Sequence, residues 1–154
     1  MYDIEKILDE LKHLPKYKEQ IMLQGVSPDA DPSYGTGKLA NYINNSVREW
    51  EQEFKEFLFP ELEYTNSILK ELNMTRTRVM DMSPKTCYSY HQDPSKRVHI
   101  PLITNEKCFF VIADEVVRLP ADGNYYVIDT TKIHTFVNAS FEHRIHIIGC
   151  QYDA

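Results

Sequence analysis

Between Arg76 and Cys150 the chain is written in short runs: RTRVMDM (76–82), TCYSY (86–90), RVHIPLI (97–103), CFFVI (108–112), EVVRL (115–119), YYVID (125–129), HTFVN (134–138) and RIHIIGC (144–150). Each run has strand length, and most are rich in β-branched and aromatic residues, which suit a pleated, half-buried surface. Signals such as Ser-Pro, Asp-Pro, Thr-Asn, Ala-Asp-Gly, Thr-Thr and Asn-Ala-Ser separate them. Many short strands punctuated in this way predict a β sandwich or barrel.

The first half has a different texture. Ile4, Ile7, Leu8 and Leu11 fall at helical spacing, with Asp3 available as N-cap and Pro15 beyond the last turn, so a short amphipathic helix is expected. Residues 24–45, QGVSPDADPSYGTGKLANYINN, predict a long surface loop in which Tyr34, Lys38 or Asn41 could cover a substrate. The run Gly35-Thr36-Gly37-Lys38 is not a phosphate loop, because Pro32 stands where its first glycine belongs and Leu39 replaces the hydroxyl. Ser46-Val47-Arg48-Glu49 resembles a capping box, and Val47, Trp50, Phe54, Phe57 and Leu58 continue a helical stripe that Pro60 ends. A further helix is expected from Asn66 to Leu72, with Asn73 closing it. The fold class is therefore mostly β with N-terminal helices (α+β): residues 1–75 as helical support and loop, residues 76–154 as the β core.

A chain of 154 residues predicts one domain, burying roughly 70% of its unfolded surface around one core. Its net charge of -6 argues against nucleic acid as a partner. Cys87, Cys108 and Cys150 are odd in number and form no C-x-x-C pair, which points to a reducing compartment rather than a disulfide framework or thiolate zinc site. The charged start MYDIEKILDELKH and the lack of a long apolar run lead to the expectation of a cytoplasmic protein with no membrane partner.

The chemistry concentrates between His91 and Arg144. His91 and Asp93 are two apart, so in extended chain they share a face, and His134 follows later. Two imidazoles and one carboxylate suit a borderline divalent metal and leave coordination positions open. Taken alone, His91 and Asp93 also read as a hydrogen-bonded turn before Pro94. Arg97 and His99 share a face, with Val98, Ile100 and Leu102 opposite them filling the core; Arg97 could equally be a surface charge and His99 a core histidine. An antiparallel hairpin of HTFVN and RIHII centred near Ser140 would place His134 and Phe136 beside Arg144 and His146. A desolvated guanidinium beside the ligands implies an anionic cosubstrate. Asn138, Asp129 and Thr130 read as bend residues, and His143 as exposed or structural.

The ordered set H-x-D (91–93), R-x-H-x-P-L (97–102), D-T-x-x-x-H (129–134), N-x-S (138–140) and R-x-H (144–146) resembles the aspartyl/asparaginyl β-hydroxylase family of iron(II)- and 2-oxoglutarate-dependent dioxygenases. The resemblance covers about Arg76 to Gly149. It implies a double-stranded β-helix, a jelly-roll, cupin-like sandwich. It also implies Fe(II) on His91, Asp93 and His134, the distal carboxylate of 2-oxoglutarate on Arg144, its metal-side carboxylate on Arg97 and His99, and O2 as oxidant. The animal members carry glycine where Asp93 stands, so this chain is closer to small bacterial and phage members; a serine of the animal enzymes corresponds to Met80. The function so implied is hydroxylation of an unactivated C–H bond of an amino acid or an Asp/Asn side chain in a peptide. A cupin-like metal-binding sensor and a cupin enzyme that works without 2-oxoglutarate are the alternatives.

Overall fold

The computed structural model describes residues 1–37, 39–41, 46–47 and 50–151. In chain order the elements are α1 (Ile4–Leu11), β1 (Gln20–Met22), β2 (Gln24–Gly25), β3 (Ala40–Asn41), β4 (Ser46–Val47), a 3-10 turn (Glu51–Glu53), β5 (Glu56–Phe57), α2 (Glu63–Glu71), β6 (Thr75–Met82), β7 (Thr86–Cys87), β8 (Arg97–Ile103), β9 (Cys108–Ile112), β10 (Glu115–Val117), β11 (Tyr126–Ile128), β12 (His134–Asn138) and β13 (Arg144–Cys150).

The two helices start in different ways. The Asp3 carboxylate accepts from the Lys6 N–H at 3.1 Å and caps α1 as its sequence predicts. Leu62 cannot cap α2, and Glu10 of α1 does so from outside: its carboxylate accepts from the N–H groups of Tyr64 (2.9 Å) and Thr65 (2.7 Å) and from the Thr65 hydroxyl (2.7 Å). One carboxylate thus satisfies orphan donors of one helix while fixing its angle to the other. Asn73, at φ 52°, ends α2 in the left-handed conformation that asparagine tolerates.

The helix expected from Ser46 to Pro60 does not form; within that span residues 48–49 lie outside the described residues. β4 pairs with β3, the 3-10 turn follows, and β5 pairs with β2. A helical stripe would bury Trp50 and Phe54 together, whereas Trp50 is 65% exposed and Phe54 fully buried. Tertiary contacts override the local periodicity here. Gly35, at φ +108°, lies so close to Phe54 that a Cβ would sit 2.5 Å from its ring. Its neighbour Glu51 is held by two arginines.

Every strand read between Arg76 and Cys150 is present. They form a five-stranded sheet in the order β1-β6-β13-β8-β11 and a four-stranded sheet in the order β10-β9-β12-β7. From β6 to β13 the chain passes back and forth between these sheets, only β9 and β10 being consecutive partners in one sheet. This is a double-stranded β-helix, the jelly-roll arrangement of cupin barrels.

That topology corrects the hairpin expected of HTFVN and RIHII. β12 pairs with β9 and β7, while β13 pairs with β6 and β8, so the Asn-Ala-Ser segment is a corner between sheets. Asn138 builds the corner. Fully buried, it donates to the carbonyls of Met82 (3.1 Å), Ser83 (3.2 Å) and Glu142 (2.9 Å) and accepts from the Ser140 N–H (3.0 Å) and hydroxyl (2.7 Å). His134 and Arg144 still reach one interior, but from facing sheets.

Two apolar layers result. Ile7, Leu69 and Leu72 from the helices pack with Val79, Val98, Ile100, Leu102 and Ile147 on the outer face of the five-stranded sheet. Between the sheets a smaller group, Met82, Phe110, Leu119 and Phe136, closes one end of the barrel. The rest of the interior is polar, with Arg78, Arg97, His99, Arg144 and His146 buried there.

Glu51 ties the irregular first half to this interior. Its carboxylate accepts from Arg76 Nη1 (2.8 Å) on β6, Arg97 Nη2 (2.9 Å) on β8, the Ser95 hydroxyl (2.9 Å) and the Cys150 thiol (3.0 Å) on β13. Arg76 adopts φ 48° and also donates to the carbonyls of Gly35 and Gly37, so the same side chain laces the preceding loop to the barrel. Burial pushes the Glu51 carboxyl up, but Arg97, the Cys150 thiol and Arg76 outweigh it and bring its pKa from 4.5 to about 2. A depressed carboxylate contributes stability above its unfolded pKa and loses it as pH falls through the folded one. Glu51→Gln should therefore cost about 3–5 kcal/mol in urea unfolding at pH 7. The gap from wild type should close as pH falls from 4.5 to about 2; a gap that stays constant over that range would refute the ionic role.

Candidate metal centre and cavity

His91 and His134 are brought together by the main chain. Each N–H donates to the other's carbonyl at 3.0 Å, an isolated antiparallel bridge that sets the two residues opposite one another. The Asp93 N–H donates to the Thr130 carbonyl at 2.9 Å, and the Thr130 hydroxyl to the Ser95 carbonyl at 3.0 Å, so the bend at Asp129 and Thr130 positions the carboxylate. The imidazole rings stand 4.4 Å apart between centroids, and the Asp93 carboxylate lies near both, 3.8 Å from His91 Nε2 and 3.5 Å from His134 Nε2.

The tautomers follow from the backbone. His91 Nδ1 lies 2.8 Å from the Ser89 carbonyl and His134 Nδ1 2.8 Å from the Lys132 carbonyl. A carbonyl only accepts, so each Nδ1 carries its proton in that bond and each Nε2 presents a lone pair. Burial lowers the pKa of His134, against the opposing pull of the Lys132 carbonyl and Asp93, and favours the neutral ring. Its Nε2 is buried without a hydrogen-bond partner among the described residues. Nitrogen and oxygen donor atoms of the three residues lie within 4.8 Å of one another. An orphaned imidazole nitrogen facing a carboxylate and a second Nε2 fits a divalent metal ion held by two His and one carboxylate.

His91 and Asp93 open on a cavity of about 410 Å³, which Arg78, Met80, Tyr88, His99, Arg97 and Phe136 also line. His99 and His146 share a hydrogen bond between their Nδ1 atoms at 3.1 Å, and the Nε2 of each has no partner among the described residues. Burial drives both pKa values well down, helped by Arg144, so both rings are neutral. His146 thus makes its hydrogen bond inside the barrel. His143 is exposed and pairs with Asp81 at 2.6 Å.

Arg97 and Arg144 share the interior in different states. Arg97 is ion-paired: besides Glu51 it donates to the Ser95 hydroxyl at 2.6 Å and stands 3.6 Å from Asp93, so it braces the metal-facing carboxylate, while its Nε lacks a partner among the described residues. Burial opposes its charge, but Cys150, Glu51 and Asp93 more than offset this and raise its pKa. Arg144 is unmatched. It is buried with Nε and Nη2 lacking partners among the described residues, its guanidinium carbon 5.4 Å from the centre of the Phe136 ring. Burial brings its pKa down to about 10 against the pull of Tyr88 and Cys108.

Two residues at this site escaped the sequence reading. Glu51 falls in the expected helix, off the apolar stripe of Val47, Trp50, Phe54, Phe57 and Leu58. Arg78 shares strand parity with Met80 and Met82, and that inward parity was the available signal. Of the loop residues proposed to cover a substrate, Lys38 and the side chain of Asn41 lie outside the described residues. Tyr34 stacks on Phe54 at 6.1 Å between centroids, and Gly37 lines the cavity. No helix among the described residues is long and apolar enough to cross a membrane.

Comparison with solved structures returns cupin proteins at low identity. A cupin superfamily protein from Desulfitobacterium hafniense is 9% identical with a TM-score of 0.40, covering 51% of this chain and 67% of that one. A cupin domain from Bordetella pertussis is 14% identical with a TM-score of 0.44, covering 51% and 81%. A predicted oxalate decarboxylase from Thermotoga maritima is 13% identical with a TM-score of 0.41, covering 54% and 70%. No curated protein matches the chain. A family profile described as Aspartyl/Asparaginyl beta-hydroxylase matches residues 2–151, nearly the whole length and not the β core alone. With that match added to the strand order and the convergent donor set, this chain belongs to the aspartyl/asparaginyl beta-hydroxylase family.

Proposed function

We propose that this chain is an Fe(II)- and 2-oxoglutarate-dependent dioxygenase that hydroxylates an unactivated C–H bond of an amino acid or of an Asp/Asn side chain. The observation that carries this reading is the pairing of orphans in one interior: a lone-pair nitrogen on His134 and a buried, unpartnered guanidinium on Arg144. A purely structural or sensory metal site, or a cupin enzyme using metal alone, has no use for the second, which costs stability unless an anion neutralises it.

His91, Asp93 and His134 would hold the iron. Together with 2-oxoglutarate and dioxygen it would supply oxidative decarboxylation to succinate and carbon dioxide, coupled to hydroxylation. The chain's own task is placement. The Ser89 and Lys132 carbonyls keep both Nε2 atoms unprotonated, and Arg97 with Thr130 fixes Asp93. Arg144 would take the distal carboxylate of the oxo-acid, with Phe136 and Tyr88 excluding water around it. His99, whose Nε2 faces no protein partner, and Arg97, whose Nε has none beside its ion pair with Glu51, would take the metal-side carboxylate. The substrate is a small molecule or a peptide and the chain works in the cytoplasm, both as the sequence leads one to expect.

Two measurements test this. Anaerobic titration of iron(II)-loaded protein with 2-oxoglutarate should raise a visible charge-transfer band near roughly 500 nm, the signature of an oxo-acid chelated on iron. Arg144→Ala should lose the band at modest cosubstrate and regain it at high concentration. Protein shown to contain iron that gives no band would overturn the assignment. His134→Ala should weaken Fe(II) binding by more than the roughly 10–100-fold that loss of an outer-shell partner costs. Unchanged affinity in that variant would remove His134 from the metal site.

A further inference from the structure

Arg78 is a second buried guanidinium, and the cosubstrate reading leaves it unused. It is 8% exposed, lines the same cavity as His91 and Asp93, and makes one hydrogen bond, from Nη1 to the Arg76 carbonyl at 3.1 Å. Its Nε has no partner, and among the described residues it has no ion pair. Burial, with the like charges of Arg76 and Arg97, lowers its pKa to about 10, which leaves it cationic at neutral pH. The carboxylate nearest those arginines, Glu51, is already bound to both of the others. Buried charge in this state costs stability unless an anion arrives.

The strand registers place it relative to the rest of the site. Arg78, Ile148 and His99 form one row across β6, β13 and β8, so Arg78 lies two strands from His99, roughly 9–10 Å between Cα atoms. Arg144 pairs with Met82, four residues along β6 from Arg78 and therefore roughly 13 Å away along the strand. The two unmatched guanidiniums thus mark two separate anion positions.

A complementary group lies beside Arg78. Gln20 on β1 pairs with Met80 and Met22 pairs with Arg78, so Gln20 and Arg78 are diagonal neighbours on one face, roughly 7–8 Å apart. Gln20 lines the cavity too, and its Oε1 is buried with no hydrogen-bond partner among the described residues. An unsatisfied cationic donor next to an unsatisfied carbonyl acceptor matches a ligand that carries a carboxylate and an ammonium on neighbouring atoms. Residues inside a peptide chain carry neither group on the backbone.

We propose that Arg78 and Gln20 form the substrate subsite, Arg78 taking the α-carboxylate and the Gln20 carbonyl the α-ammonium of a free α-amino acid whose side chain extends toward His91, Asp93 and His134. The assignment rests on the dioxygenase reading for what happens to that side chain, and on the cavity alone for the binding.

The test is calorimetry on anaerobic, iron(II)-loaded protein with saturating 2-oxoglutarate. The twenty L-α-amino acids are titrated singly, followed by the α-amides of those that bind and by N-acetyl-L-aspartate α-amide as a peptide stand-in. At least one amino acid should bind, its α-amide should bind roughly 10–100-fold more weakly, and Arg78→Met should lose a similar factor. Arg78→Lys should recover part of it, and Gln20→Leu should lose less. Melting of Arg78→Met at or above the wild-type temperature confirms that the variant is folded, since it removes an unpaired buried charge. Absence of amino-acid binding to wild type that binds 2-oxoglutarate normally overturns the proposal. So does binding that survives Arg78→Met, tighter binding of the peptide stand-in, or loss of 2-oxoglutarate affinity in Arg78→Met, which would assign the guanidinium to the cosubstrate. Wild type that binds amino acids through Arg78 but never 2-oxoglutarate would uphold the subsite while removing the dioxygenase reading.

Discussion

The carboxylate of Glu51 is the interaction on which the arrangement depends. It stands in a short turn far in sequence from the barrel strands, yet it meets side chains from β6, β8 and β13 and the Ser95 hydroxyl within about hydrogen-bond range. Without it Arg76 and Arg97 would be buried cations against Arg78, a like-charge cluster that the interior could not sustain. With it, Arg97 stays charged and close enough to Asp93 to hold that carboxylate in place. The position of the metal-facing carboxylate is therefore linked to the irregular first half of the chain through one ionised carboxylate.

The interior is strongly positive although the chain as a whole carries a net charge of -6. Arg76, Arg78, Arg97 and Arg144 face two interior carboxylates, Glu51 and Asp93, and the buried histidines remain neutral because burial disfavours their charge and the arginines add to that. A cavity of this sign attracts small anions against the field of the outer surface. It also makes the ionisation states of the site a property of the whole cluster.

Much of this was legible in the sequence because strands advertise themselves locally. Alternation in RVHIPLI separates Arg97 and His99 from Val98, Ile100 and Leu102, and the structure puts the first pair in the barrel and the second set under the helices. His91, Asp93 and His134 could be grouped by residue chemistry, and the fold brings them together. What could not be read is non-local. Helical periodicity around Trp50 yields to an ion pair with residues 25 and 46 positions away. The corner at Asn138 looks like a hairpin turn until its side chain is seen bonding the carbonyls of Met82 and Ser83 at the end of β6. Arg78 has an inward parity that one could see, but its isolation emerges only when every neighbouring carboxylate has been assigned.

The barrel is greasy on the outside of its larger sheet and polar within. Cohesion comes mainly from the layer in which Ile7, Leu69 and Leu72 meet Val79, Val98 and Ile147, and that layer contains none of the groups that face the cavity. Inward and outward side chains alternate along the same strands, so a change at Arg78, Met80 or His99 leaves the adjoining outward residue and its helical contacts in place. Selectivity can in this way drift through successive substitutions on one side of a strand while the other side keeps the molecule folded, and the same scaffold can come to accept new molecules without first being rebuilt.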